Sequence, residues 1–129
     1  MNTEKMKKGF RPAAVPLITV DPYFSIWSGS DNLYSTPTKH WTDKPMPMVT
    51  GIRRKGIVYN VASSMKDMTP TTVRIPQTNL KITPLSTEYT FENNFAKLTI
   101  TYTTPLLMDR LDILTRPVSY IAYKIEKNK

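Results

Sequence analysis

The chain has 129 residues, 40% apolar and 22% charged, the size and balance of one folded domain rather than a wholly disordered segment. Eleven prolines against four glycines disfavour long helices, because proline brings no N–H and clashes inside one. The formal charge of +8 raises nucleic acid and anionic membranes as partners, but the cations gather in the tails (Lys5, Lys7, Lys8 and Arg11; Lys124, Lys127 and Lys129) and at one turn (Arg53, Arg54 and Lys55), where charge is ordinarily solvated. No nucleic acid and no membrane is therefore expected.

There is no cysteine, so disulfides and thiolate chemistry are excluded and the compartment is left open. The opening MNTEKMKKGFRP carries charge but no apolar run, so no signal peptide is expected in this chain. Nothing approaches the roughly 18 apolar residues of a membrane-spanning helix.

In chain order, residues 1–11 are polar, basic and aperiodic and are expected to form a flexible tail, with the folded region over 12–129. Pro12 and Pro16 bracket Ala-Ala-Val, after which LITV (17–20) starts an extended run. Asp21-Pro22 interrupts it, the ring holding Asp21 in β or polyproline geometry, and YFSIW resumes the strand. Residues 28–48 are loop chemistry, and at about 20 residues this loop is longer than the usual limit of about 12 to 15, a length that marks functional or disordered loops. TGIRRKGIVYNVA (50–62) reads as a hairpin turning at Lys55-Gly56, with Arg54 opposite Ile57 and Ile52 opposite Tyr59. Residues 63–77 are irregular, with a single helical turn expected near 63–68.

The strongest pattern follows. In TEYTFENNFAKLTITYTT, Ala96, Leu98, Ile100 and Tyr102 alternate with Lys97, Thr99, Thr101 and Thr103, a period of two that belongs to a half-buried strand. A type I′ turn at Asn93-Asn94 would pair Phe91 with Ala96, Tyr89 with Leu98, Thr87 with Ile100 and Leu85 with Tyr102. A one-residue slip would put Lys97 among the apolar partners, so the pairing is expected to be specified. Upstream, Leu80 and Ile82 alternate with Lys81 and Thr83 between Pro76 and Pro84, which suits an edge strand. Downstream, the turn-like PLLMDRLDILTRP leads to VSYIAYKI (118–125), a last strand. The expected fold class is all-β, an antiparallel β-sandwich.

The chemistry available is narrow. His40 is the sole histidine, no G-x-S-x-G elbow is present, and Asp21, Asp31 and Asp43 do not form a D-x-D-x-D-G calcium loop. No context selects a pair of carboxylates for glycoside hydrolysis, and the scattered glycines make no phosphate cradle. No catalytic residue, metal or cofactor is expected. Trp27, Tyr34 and Trp41 could serve as sugar platforms, although aromatics in long loops more often anchor the loop with their polar atoms satisfied nearby. His40-Trp41 followed by Asp43 is the best local polar cluster, and a histidine beside tryptophan more often fixes a loop than moves a proton. Asp21, Tyr23, Trp27, His40 and Trp41 are the residues expected at a ligand or interdomain contact.

The strings RPAAVPLITVDPYFSIWS (11–28), TKHWTDKPMPMVTGIRRKGIVY (38–59), TPLSTEYTFEN, LTITYTTPLL and DRLDILTRPVSYIAY together resemble the N-terminal region of the glutaminase A family, in which R-P-P-x-x-P-L-x-x-V-D-P-Y-F-S-x-W-S, H-W-T-x-K-P and S-R-P-V-S-Y recur in that order. Ala13 stands where the family has its second proline and Thr115 where serine is common, and SMKDMTPTTVRIP replaces a shorter linker. The resemblance implies a bacterial or fungal protein, usually exported, in which an N-terminal β-sandwich precedes a helical catalytic toroid that hydrolyses L-glutamine to glutamate and ammonia. No family catalytic residue transfers to this chain, so the resemblance implies a non-catalytic β module that packs on a C-terminal helical domain. It also implies an incomplete sandwich, with 118–125 exposed and available for self-association. The alternative is a carbohydrate-binding β-sandwich module.

Overall fold

The computed structural model describes residues 11–62 and 73–129. Most of the expected tail, 1–11, and the helical turn near 63–68 lie outside the described residues. Arg11 is described, and it is pinned: its guanidinium pairs with Asp31 at 3.1 Å and donates to the Ser30 carbonyl.

The fold is all-β and sandwich-like, in three sheets. The first is a hairpin of β1 (Val15–Thr19) and β2 (Ser25–Ser28). The second orders β3 (Thr50–Arg54), β4 (Ile57–Ala62) and β5 (Val73–Arg74). The third orders β6 (Gln77–Ile82), β7 (Ser86–Glu92), β8 (Ala96–Thr103) and β9 (Tyr120–Lys127). A single turn of helix, α1 (Leu111–Leu114), lies in the connection before β9. All strand pairs are antiparallel except β4 with β5.

Alternation along β7 and β8 explains the core. Tyr89 and Phe91 on β7 and Leu98, Ile100 and Tyr102 on β8 turn to one face and are buried there. Val15, Leu17, Ile18 and Ile26 of the first hairpin, Leu33, Val61, Ala62 and Ile75 complete the same cluster. Polar ties cross between the layers: the Thr87 hydroxyl donates to the Pro16 carbonyl at 2.7 Å, and the Thr19 N–H to the Thr104 hydroxyl at 3.2 Å. Gln77, also buried, accepts from the Leu33 N–H at 2.8 Å and donates to the Asp31 carbonyl at 3.0 Å, fastening the long loop to β6.

The 50–62 hairpin forms as expected, with Arg54 opposite Ile57 and Ile52 opposite Tyr59. Lys55 at φ 48° and Gly56 at φ 80° take the left-handed conformations that a tight hairpin turn demands. Pro76 and Pro84 flank β6, an edge strand as expected.

Three expectations are corrected. Asp21-Pro22 does not interrupt one strand: residues 20–24 turn the chain, so β1 and β2 pair back on each other. Pro16 lies inside β1, at a register irregularity where its missing N–H is tolerated. The β7–β8 pairing is displaced by two residues, so that Phe91 faces Leu98, Tyr89 faces Ile100 and Thr87 faces Tyr102. The Asn93 side-chain oxygen accepts from the N–H groups of Phe95 and Ala96 at 3.1 and 3.0 Å, which moves the turn centre to Asn94-Phe95. Neither of those residues has a positive φ, so the turn is not type I′. A shift of two preserves the alternation, and the apolar set stays on the core face.

Candidate functional site

Two features outside the core carry unspent surface, and the first is the corner built by the aromatic loop. Asp21 accepts at Oδ1 from the N–H groups of both Tyr23 and Phe24 at 2.8 Å, an Asx-type turn that makes this carboxylate a turn former. Tyr23 sits at the tip, 93% exposed. The loop beyond β2 returns to pair with it: Trp27 and Lys39 exchange backbone hydrogen bonds of 2.7 and 2.9 Å. Thr38 then holds the loop's second arm, accepting from the Met48 N–H and donating to the Met46 carbonyl. The length of this loop thus reflects strand-like anchoring.

The Pro22 carbonyl gathers the rest. It accepts from His40 Nε2 at 2.9 Å and from Trp41 Nε1 at 2.6 Å. A carbonyl can only accept, so Nε2 carries the imidazole proton, and Nδ1 is left to accept from the Thr42 hydroxyl at 2.8 Å and the Thr42 N–H at 3.2 Å. Both ring nitrogens of His40 are thereby committed to clipping the 38–45 loop onto the β1–β2 turn. Asp43, at φ 72°, closes a tight turn by donating its N–H to the His40 carbonyl, and its carboxylate meets Lys39 Nζ at 2.6 Å. That pair is well exposed, and ion pairs of this kind contribute about 0–1 kcal/mol.

Trp27, Thr36, Lys39, His40, Trp41 and Asp43 line a shallow cavity of about 530 Å³ at this corner. Trp41 presents a 63% exposed ring to it, tilted 39° to the His40 ring at 5.4 Å. Of the five expected contact residues, Trp27, His40 and Trp41 share this cavity; Asp21 and Tyr23 stand on the adjoining turn and do not line it. Tyr34 is covered by the Arg74 guanidinium at 5.3 Å. The Trp27 indole N–H is buried and meets no acceptor among the described residues, contrary to the expectation that anchoring aromatics are satisfied nearby. Also among the described residues, no three histidine, cysteine, aspartate or glutamate side chains stand together as metal donors.

The second feature was only partly visible in the sequence. β9 pairs with β8 so that Ile121, Tyr123 and Ile125 continue the face of Tyr102, Ile100 and Leu98. The layer that covers β7 and β8 stops short of β9, leaving these three side chains 52%, 75% and 53% exposed. With Leu98 and Ile100 as floor and Thr50, Ile52 and Arg53 of β3 on the far side, they bound an apolar groove of about 380 Å³. The alternation of VSYIAYKI gave the strand. That β3 ends one wall of the groove depends on packing between segments far apart in sequence, for which no local signal exists.

The signature of the family described as Domain of unknown function (DUF4964) matches residues 1–76, and the chain belongs to that family. The matched region spans β1 to β5 and the aromatic loop, and ends just before β6. No curated protein and no solved structure matches the chain.

Proposed function

We propose that, within this family, the chain is a non-catalytic N-terminal β module of a glutaminase A-like protein, packing on a catalytic helical domain. The observation that carries this reading is the uncovered core-side face of β9: Ile121, Tyr123 and Ile125 extend a hydrophobic core beyond its own cover. Contiguous exposed apolar surface of that kind marks a place where another polypeptide docks. The ordered motifs shared with glutaminase A-like proteins support the identity of the neighbour. Within the aromatic corner His40 is committed at both nitrogens, which suits a scaffold more than proton transfer.

The test is direct. Residues 1–129 incubated with L-glutamine are expected to release no ammonia, and the same chain is expected to co-purify with a separately expressed glutaminase A-like helical domain. Ammonia release by the chain alone would overturn the reading.

The second reading, a carbohydrate-binding module, is favoured by one observation: Trp41 offers an exposed ring beside Lys39, a donor to hydroxyl groups, and Asp43, an acceptor from them. Under it, a glycan panel would quench tryptophan fluorescence saturably, and Trp41→Ala would abolish the effect. Under the scaffold reading the titration stays flat.

A further inference from the structure

We infer that β9 is an acceptor for strand addition, and that the incoming strand presents apolar side chains to the groove and carboxylates at its flanks. This deepens the scaffold reading by naming the chemistry of what docks, and it rests on that reading only for the partner's identity.

The backbone comes first. The Asn128 N–H donates to the Phe95 carbonyl at 3.0 Å, which fixes the phase of the β8–β9 ladder. In an antiparallel pair the N–H and C=O of one residue point to the same side and alternate along the strand. Residues 120, 122, 124 and 126 therefore bond to β8, while Ile121, Tyr123, Ile125 and Lys127 direct their backbone groups to the open edge. β9 ends its sheet, so among the described residues this row of donors and acceptors has no neighbouring strand. The same residues send their side chains to the core side. An added strand would thus satisfy the edge and roof the groove at once.

The side chains then choose among occupants. On the solvent face of this sheet the charges are matched: Glu92, Lys97 and Glu126 lie opposite one another across β7, β8 and β9, and Lys124 Nζ reaches Glu126 at 3.1 Å. All the carboxylates of β7–β9, Glu88, Glu92 and Glu126, are on that face. On the groove face the register places Lys127 at one end of β9, Arg53 lines the opposite wall, and no carboxylate lines the groove. Two cations thus border an apolar trough, and among the described residues neither Arg53 nor Lys127 has an ion-pair partner.

A second copy of the chain would bring the same cations to the same trough. Lysines on an edge strand are also a recurrent guard against pairing with an identical edge. A strand with alternating apolar residues and acidic ends neutralises Arg53 and Lys127 and fills the trough. Main-chain bonding would give the affinity and the pockets for alternate side chains the selectivity.

The probes are short synthetic peptides of alternating valine and threonine, one flanked by glutamates and one by lysines. Residue-resolved hydrogen exchange with the full 129-residue chain should show the acid-flanked peptide protecting the amides of residues 121, 123, 125 and 127. The lysine-flanked peptide should bind about tenfold more weakly, a difference that added salt erodes. Tyr123→Pro removes an outward N–H without touching the β8 ladder and should abolish protection at 121 and 125. Ile125→Lys, which keeps the backbone intact and puts a charge in the trough, should do the same if the proline variant fails to fold. Equal binding of both peptides overturns the charge argument. Protection that rises with protein concentration alone, alongside a dimer in sedimentation, overturns the choice of partner in favour of a second copy. Absence of protection with either peptide overturns strand addition, and leaves the ammonia and co-purification results to stand or fall separately.

Discussion

Phe91→Ala is expected to lower the free energy of unfolding by about 3–5 kcal/mol. The side chain is fully buried on β7, stacks on Tyr89 with ring planes 19° apart, and lies opposite Leu98. It stands where the four-stranded sheet meets the rest of the core, so its truncation opens a void that rigid strands on either side cannot close. Against a total of about 5–15 kcal/mol for a domain, the loss is a large fraction. Urea denaturation should show the midpoint falling with little change in slope. Tyr23→Ala, at the exposed tip of the β1–β2 turn, should stay within about 0.5 kcal/mol of the parent. A Phe91→Ala variant as stable as Tyr23→Ala would mean that the three sheets do not share one core.

The sequence was legible where structure is local. Alternation named β7 and β8 because a pleated strand sorts its side chains by parity, and Lys55-Gly56 named a turn because few residues accept positive φ. Parity also limited what could be read. The pairing expected between Phe91 and Ala96 and the pairing found with Leu98 differ by two residues, and both put the same apolar atoms in the core. What separates them is the Asn93 side chain, which captures two N–H groups and re-centres the turn. A hydrophobic pattern specifies the face, and a single hydrogen-bonding side chain specifies the register.

The aromatic corner was legible as a cluster and illegible as a mechanism. Asp21, Trp27, His40 and Trp41 do come to one region, but the atom that organises His40 and Trp41 is the Pro22 carbonyl. A backbone acceptor leaves no trace in residue identity beyond the Asp-Pro turn that presents it. The same holds for the covered and uncovered parts of the four-stranded sheet. Leu98 and Ile125 are equally apolar and face each other across the ladder, yet one is buried and the other half exposed. The difference lies in where the second layer stops.

The second large effect is alkaline unfolding driven by two buried phenols. Burial pushes Tyr89 up to about 12, against the opposing influence of the Ser28 hydroxyl and the Arg11 guanidinium. Tyr102 is pushed up as well, mainly by burial with Tyr89 adding to it and the Thr50 hydroxyl opposing. Both stay neutral in the fold at a pH where an unfolded tyrosine, with a pKa of about 10, ionises. The sign follows: the folded pKa lies above the unfolded one, so the stabilisation is complete below pH of about 10 and is lost as pH climbs toward about 12. Each unit of that climb costs about 1.4 kcal/mol per phenol, so the pair removes on the order of 5 kcal/mol across the window, enough to unfold a domain at the low end of the usual range of about 5–15 kcal/mol. Circular dichroism and tyrosinate absorbance followed together should therefore show ionisation of these two side chains coinciding with loss of the fold. Tyr102→Phe removes the ionisable group at nearly constant volume and should move the alkaline midpoint upward, with Tyr89→Phe adding to the shift. An unmoved midpoint in the double variant would overturn the assignment of the transition to these two phenols.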